Sequence, residues 1–192
     1  TPPPIKVLAQ EHGLPVHQPQ TLKDGAIADL LEQTQPELIV VVAYGKILPA
    51  YVLDFPPHGC INVHGSLLPR WRGAAPIQCS VIAGDQYVGV TTMQMAEGLD
   101  TGDMLLTCRT EIGARETAGE LFDRLAQAGA DLLHDTIEQL DQITPQPQEE
   151  SAACYASMLD KDMARIDWSK SEREIDCLIR GLNPWPVALT EL

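Results

Sequence analysis

The sequence predicts an α/β fold, a largely parallel sheet flanked by helices. Residues 38–43 form a continuous apolar run rich in Val and Ile, which is typical of a parallel strand buried on both faces. Segments with strand character also alternate along the chain with segments whose apolar residues recur at helical spacing. At 192 residues, the chain has the length of a single domain with a sizeable core.

The first elements surround that apolar run. Residues 5–12 predict a short helix that ends at Gly13, and residues 15–17 predict a brief strand. Residues 22–33 carry apolar side chains at helical spacing, and Pro36 follows their end. We therefore expect two helices before the buried strand.

The middle of the chain predicts three strands and one helix. A strand is expected at 60–64 and a helix at about 75–83, followed by two strands at 88–95 and 104–112. The connection between the last two strands, residues 96–103, is rich in Gly and Asp, as turns are. We expect these two strands to form a pair.

The last third of the chain is mainly helical. Residues 117–140 give the longest helical pattern, with an apolar stripe of Leu and Ile. From Thr144 the composition becomes polar and loop-like, and a final short helix is expected at 172–179. A stiff Pro-Trp connector, residues 181–186, follows that helix.

Composition and cysteine usage exclude several classes of protein. The formal net charge of −14 argues against a dedicated nucleic-acid module, which normally carries a basic face. Five widely spaced cysteines without a CxxC pair favour reduced thiols over a disulfide framework or a zinc site. With no signal-peptide pattern and no apolar run near the length of a membrane span, we expect a cytoplasmic protein without a membrane partner.

The most informative pair of residues is Asn62 and His64, at the end of the predicted strand 60–64. Side chains two apart on a strand share a face, and Gly65 then turns the chain out of the sheet. An amide donor beside a titratable ring suits a reaction in which a carbonyl oxygen becomes negatively charged. Each residue alone is more often structural, but the pair favours a functional site.

Asp100 is the candidate third member. It lies in the turn Gly98-Leu99-Asp100-Thr101-Gly102, where an Asp most often hydrogen-bonds its own backbone. A carboxylate beside His64 would fix the tautomer of the ring. Spacing alone leaves open whether Asp100 reaches His64.

The segment Arg70-Trp71-Arg72-Gly73 has two interpretations. It is either a solvated loop with Trp71 packed on the surface, or a phosphate contact, because arginine forks match phosphate oxygens. A metal site is not expected, because no His/Asp/Glu cluster shows ligand spacing, and His134 in particular has no partner at such spacing. The glycine-rich fingerprints of nucleotide-binding loops are absent from the sequence.

Four stretches of sequence resemble the folate-dependent formyltransferases, and most closely those members that act on tRNA. The motif NxHxSLLPxxRG is shared across that group, whereas RWRGAAPIQ, GLDTGDML, IDW and NPWP narrow the resemblance to the tRNA-acting members. The stretches are VVVAYGKILP at 40–49, NVHGSLLPRWRGAAPIQ at 62–78, VGVTTMQMAEGLDTGDML at 88–105, and ARIDW at 164–168 with NPWP at 183–186.

The resemblance implies a Rossmann-like fold that binds folate in place of NAD. It implies a catalytic trio of Asn62, His64 and Asp100, and a formyl donor, 10-formyltetrahydrofolate, with no metal. The implied acceptor is the amine of methionyl initiator tRNA. The residues that correspond to the folate-binding segment of the family are Ser66, Leu67, Leu68 and Pro69.

The resemblance also implies a division of the chain. We expect a catalytic domain over 1–182 that lacks a first strand–helix–strand, and the linker and start of a C-terminal β-barrel domain over 183–192. Contacts with tRNA are then expected mainly from parts outside this sequence. Three alternatives remain open: a formyltransferase for a small amine (a nucleotide sugar or a glycinamide nucleotide), a hydrolase of the formyl donor, and a non-catalytic folate-binding domain.

Overall fold

The α/β class is confirmed by a computed structural model of the chain, which describes residues 2–191. One sheet holds four strands in the order β1-β2-β4-β5, and a second holds β3 and β6. The strands are β1 (Ile39–Val42), β2 (Cys60–His64), β3 (Arg72–Gly73), β4 (Tyr87–Gln94), β5 (Met104–Glu111) and β6 (Tyr155–Ala156). The helices are α1 (Pro4–Glu11), α2 (Ala28–Thr34), α3 (Ala50–Leu53), α4 (Pro76–Ile82), α5 (Ala118–Glu138) and α6 (Glu172–Gly181).

The main sheet contains both kinds of pairing. The parallel pairing predicted for the apolar run is found between β1 and β2. In contrast, β4 runs antiparallel to both β2 and β5. The connection from β4 to β5 spans 95–103, which is too short for the crossover that parallel neighbours require. This short connection returns across the face of β2 that carries Asn62 and His64.

The prediction that the apolar run is buried on both faces is wrong. Ile39 and Val41 pack against a cluster that includes Leu31 and Val52. Val40 and Val42 point the other way and are 39% and 59% exposed. The residues that the structure describes leave that face of β1 uncovered, so its apolar side chains meet solvent.

The core beneath the candidate site lies between the sheet and helices α4 and α5. Val88 and Val90 on β4 belong to one cluster with Leu121 and Leu125 on α5. Gly129 lets α5 approach closely, since a Cβ there would lie 3.2 Å from the Val63 side chain. Helix α5 therefore holds the face of β2 opposite to the one that carries Asn62 and His64.

Helix α6 packs on α4 and ties the end of the chain to the sheet domain. A cluster of buried residues joins Ala75 with Leu159, Ala164 and Leu182. Both α5 and α6 begin with a capping box, formed by Thr117 and Glu120 in α5 and by Ser171 and Glu174 in α6. Each capping box provides acceptors for backbone N–H groups at the start of its helix. None of the described helices combines the length and the apolar character that a membrane span requires.

Two details of the prediction differ from the structure. Residues 15–17 are irregular and form no strand. The first part of the helix predicted at 22–33 is a short 3-10 turn, because Asp24 and Gly25 both adopt left-handed backbone angles, with φ of 55° and 74°. Helices α1, α4, α5 and α6 and the strands of the main sheet lie within a few residues of their predicted positions, whereas α3 was not predicted.

Candidate functional site

Asn62 and His64 lie on one face of β2, as predicted. Val63 between them points to the opposite side and packs against the α5 cluster. The Asn62 side chain is half-buried, whereas His64 is only 5% exposed. The site is therefore built on a rigid central strand, with the amide nearer to solvent than the ring.

The structure brings Asp100 to both residues. Its Oδ1 accepts a hydrogen bond from Asn62 Nδ2 at 3.4 Å, and its Oδ2 lies 3.8 Å from His64 Nδ1. The backbone N–H of Gly73 donates to the same Oδ2 at 2.8 Å. The three predicted residues thus form one cluster, with the carboxylate between the amide and the ring.

The tautomer of His64 follows from its neighbours. Nε2 lies 2.8 Å from the carbonyl oxygen of Trp71. A carbonyl can only accept a hydrogen bond, so Nε2 must carry the hydrogen. In the neutral ring, Nδ1 is then the basic nitrogen, and it faces Asp100. This arrangement can accept a proton at Nδ1 and stabilise the resulting positive charge.

The predicted folate segment is tightly held at its polar atoms. Ser66 is fully buried; its Oγ donates to the carbonyl oxygen of Arg70, and its own carbonyl accepts from Thr91 Oγ1. Leu68 is 7% exposed, and its N–H donates to the same Thr91 hydroxyl. Leu67 and Pro69 are half-buried, so they are the members of this segment with more surface for a ligand.

A cavity of about 220 Å³ lies beside Leu67 of this segment, and none of Asn62, His64 and Asp100 lines it. Arg70 and Trp71 form part of its wall, and both bind Asp85: Arg70 through a salt bridge at 2.7 Å and Trp71 through its Nε1–H at 2.8 Å. The lining residues are Leu67, Arg70, Trp71, Ser80, Asp85, Gln86, Tyr87 and Val88.

Neither interpretation of the Arg70–Gly73 segment describes Arg72. Its side chain is buried and forms a bidentate ion pair with Glu150 at 2.8 and 3.1 Å. This hydrogen bonding raises the pKa of Arg72 above its ordinary value and lowers the pKa of Glu150. Arg72 is thus a structural cation inside the protein. The sequence carried no signal for this, because its partner lies 78 residues further along the chain.

Gln148 is a further residue that the sequence analysis missed. Its side-chain Nε2 donates to the carbonyl oxygens of Asp100 and Gly102 at 2.8 and 2.7 Å, and its Oε1 accepts from Arg72 at 2.8 Å. The stretch that contains it was predicted only as polar loop, and a glutamine in such a stretch gives no local signal of its contacts.

One group of potential metal ligands lies away from this site. His134, Asp135 and Glu138 on α5 hold one ligand atom each within 4.8 Å of one another, and all three are exposed. His134 therefore has acidic neighbours that the sequence analysis missed. Asp135 is the next residue in the chain, and the helix brings Glu138, four residues on, to the same side. The two nitrogens of its ring face different carboxylates, Nδ1 towards Asp135 and Nε2 towards Glu138. Each carboxylate thus approaches a different nitrogen of the ring on the exposed surface of α5.

Comparison with known proteins identifies the family. A model described as "Formyl transferase" matches residues 1–137, and one described as "Formyl transferase, C-terminal domain" matches residues 158–192. The chain is 50% identical over its whole length to a methionyl-tRNA formyltransferase of Geotalea daltonii. It is 54% identical, over 98% of its length, to the enzyme of that name in Pseudoalteromonas translucida. It spans 62% and 59% of those two proteins.

Solved structures show the same fold at low sequence identity. A sugar N-formyltransferase from Shewanella aligns with a TM-score of 0.78 and 23% identity, over 96% of this chain and 75% of that one. HypX from Aquifex aeolicus, in complex with tetrahydrofolic acid, aligns with a TM-score of 0.72 and 16% identity, over 85% of this chain and 29% of that one. Since the family model covers most of the sequence, the chain belongs to the formyl transferase family.

Proposed function

We propose that the complete protein transfers a formyl group from 10-formyltetrahydrofolate to the amine of methionyl initiator tRNA, for translation initiation. The observation that carries the reaction type is the cluster of Asn62, His64 and Asp100 at the end of β2. The choice of acceptor rests on the relatives that are 50–54% identical to this chain and are named methionyl-tRNA formyltransferase. This chain spans about three-fifths of their length.

In this proposal, the amine nitrogen attacks the formyl carbon and the carbonyl oxygen becomes an oxyanion. Asn62 carries two N–H donors, one of which is directed to Asp100, so the other is available to the oxyanion. The amide sits on a central strand, so it is pre-oriented before the charge develops. A fixed donor of this kind typically lowers such a barrier by about 2.7–4 kcal/mol.

His64 and Asp100 move the proton. As the new C–N bond forms, His64 Nδ1 accepts a proton from the attacking amine and Asp100 stabilises the imidazolium. The bond between the formyl carbon and N10 of the folate then breaks, and the proton passes from the cluster to N10. The products are the formylated amine and tetrahydrofolate, with no net change at the enzyme.

Folate is proposed to lie against the segment Ser66, Leu67, Leu68 and Pro69, which follows directly after His64. Support comes from this adjacency and from the fold shared with HypX, whose solved structure contains tetrahydrofolic acid. Leu67 and Pro69 retain partly exposed apolar surface. The buried Ser66 and Leu68 would keep the segment in a fixed shape.

The test measures formyl transfer by the complete protein from 10-formyltetrahydrofolate to three acceptors: charged initiator tRNA, a nucleotide-linked amino sugar, and water. We expect rapid formylation of the tRNA and only slow reaction with the other two. Asn62→Ala should lower the rate with tRNA by about 10²- to 10³-fold, because it removes the oxyanion donor. Preference for the amino sugar, or formate release that the tRNA does not suppress, would overturn the proposal.

A further inference from the structure

We infer that Gln148 is a positioning residue, which fixes the backbone turn at Asp100 and thereby sets the place of its carboxylate between Asn62 and His64. The expected effect on catalysis rests on the proposed function. The structural observation is that the Gln148 side-chain amide connects Arg72 with the turn at Asp100. Gln148 lies 48 residues beyond Asp100 in the sequence, yet it binds the main chain of the turn directly.

The orientation of the Gln148 amide is determined by its surroundings. Two carbonyl oxygens, those of Asp100 and Gly102, lie 2.8 and 2.7 Å from Nε2 and can only accept hydrogen bonds. On the other side, Arg72 Nε–H can only donate, and it lies 2.8 Å from Oε1. In a flipped amide, Oε1 would face the two carbonyl oxygens and the Nε2 hydrogens would face Arg72 Nε–H. Only one orientation therefore satisfies all three contacts.

The conformation of the turn gains from such a restraint. Asp100 has a φ of 52°, in the left-handed region that Asp adopts more often than most residues but that is still less favourable than right-handed backbone. One Gln148 amide binds the carbonyls on both sides of Thr101, so it holds the turn on each side of its centre. The Asp100 side chain is separately held by the Gly73 N–H at 2.8 Å. Backbone and carboxylate are therefore fixed by different groups.

Arg72 connects these restraints to the rest of the protein. Its guanidinium aligns Gln148, while the backbone on either side of it touches the site: Trp71 accepts from His64, and Gly73 donates to Asp100. The Arg72 N–H binds the carbonyl of Cys154 at 2.9 Å as β3 pairs with β6. A single residue thus sets the spacing between the ring and the carboxylate from both its backbone and its side chain.

The stretch around Gln148 is anchored beside the turn. The backbones of Gln146 and Met104 exchange two hydrogen bonds of 2.8 Å, which fixes this stretch against the start of β5. The side chain of Gln146 is exposed, and in the described residues its hydrogen bond is to the carbonyl of Thr144. Two glutamines in one stretch therefore differ in their contacts: Gln148 is half-buried and binds both Arg72 and the turn at Asp100, whereas Gln146 is exposed and binds neither.

The experiment compares Gln148→Glu with Gln146→Glu in the complete protein. Both variants exchange an amide for a carboxylate and add the same charge, but only the first removes the two donors to the turn. We expect Gln148→Glu to lower kcat by about 10- to 100-fold with little change in KM for the folate donor, as a misplaced catalytic group does. Gln146→Glu should retain the wild-type kcat. Gln148→Met, which removes the donors without adding charge, should behave like Gln148→Glu.

Crystal structures of the variants give a second readout that does not depend on activity. We expect Gln148→Glu and Gln148→Met to move Asp100 out of its left-handed conformation or to lengthen its 3.8 Å separation from His64. An unchanged turn in both variants would overturn the inference, whatever their kcat. A displaced turn with wild-type kcat would overturn it as well. If the wild-type protein formylates no acceptor, the proposed function fails, and the geometry of the turn alone decides the positioning.

Discussion

Arg70 and Arg72 stand two residues apart in one motif and do different things. Arg70 is 47% exposed in its side chain and pairs with Asp85 at the surface. Arg72 is 1% exposed in its side chain and holds Glu150 and Gln148. The difference arises because the chain turns sharply at Trp71, whose φ is 63°, and then enters β3. Identical residue types in one motif therefore need separate interpretations.

The comparison also separates surface electrostatics from positioning. The guanidinium of Arg70 stacks over the Trp71 ring at 4.4 Å and closes one side of a small cavity. Removal of Arg70 leaves Asp85 with its bond from Trp71 Nε1–H. Removal of Arg72 would leave Gln148 without the contact that orients it. The two substitutions should therefore differ in their effect on stability and on catalysis.

The largest expected effect on stability is that of Arg72→Ala. This substitution deletes a fully buried side chain, opens a cavity and leaves Gln148 Oε1 without its donor, which together should lower the free energy of unfolding by about 3 kcal/mol. Urea unfolding of the wild type and the variant measures this difference. Arg72→Met, which fills most of the volume, should recover part of the stability but none of the alignment of Gln148. A loss below about 1 kcal/mol in Arg72→Ala, the range of surface pairs, would contradict the structural role.

The next largest effect is expected for Gly73→Ala. Gly73 has a φ of 112°, and a Cβ there would lie 2.6 Å from the carbonyl oxygen of Ala156. Because this neighbour is backbone in a paired strand, relief requires β3 to move, at a cost of about 1–3 kcal/mol. Gly13→Ala is a suitable control, since that glycine also has a positive φ, of 67°, but open space around it. If both variants lose the same stability, the close contact with β6 is irrelevant.

A small effect is expected for Arg70→Ala. The Arg70 guanidinium is 47% exposed, so solvent screens its bidentate pair with Asp85, whose side chain is 18% exposed, and the loss should be about 1 kcal/mol. Thermal or urea unfolding at low and high salt tests it, because screening should reduce the difference further. A loss as large as that of Arg72→Ala would show that burial does not distinguish the two arginines.

The smallest effect concerns pH. The hydrogen bond from Arg72 holds the pKa of Glu150 below its ordinary value of 4.5. A lowered pKa in the folded state stabilises the protein at higher pH, and this contribution is lost as the pH falls from 4.5 through the lowered value. Glu150→Gln should therefore make unfolding less dependent on pH in this acidic range. An acid dependence of Glu150→Gln equal to that of the wild type would contradict this role of the hydrogen bond.

The sequence predicted the fold where patterns are local. The strand 60–64 appears with those bounds, and the long helical pattern gives α5. The prediction failed for burial of β1, because the apolar run cannot indicate what packs on its second face. It also missed β3 and β6, which are two residues each and pair over 83 residues of sequence. Such short pairings depend on tertiary contacts that no periodicity encodes.

The candidate site was predictable in part for the same reason. Asn62 and His64 share a face because strands alternate, so their juxtaposition follows from sequence. Asp100 was a candidate from its turn, and the resemblance implied its role. Its contact with both residues required the fold of the 95–103 connection. The contacts of Gln148 and Arg72 lay beyond either approach, because they are hydrogen bonds between distant segments.

The most direct test of the central claim is the single-turnover rate of formyl transfer to charged initiator tRNA by His64→Ala, with His58→Ala as the matched control. His58 is exposed and precedes β2, so its replacement should leave the rate unchanged. Loss of a proton-transfer group typically lowers a rate by about 10²- to 10⁴-fold, and we expect a loss in that range for His64→Ala. Circular dichroism and urea unfolding would establish that both variants are folded. A folded His64→Ala protein with a rate near that of His58→Ala would contradict the account.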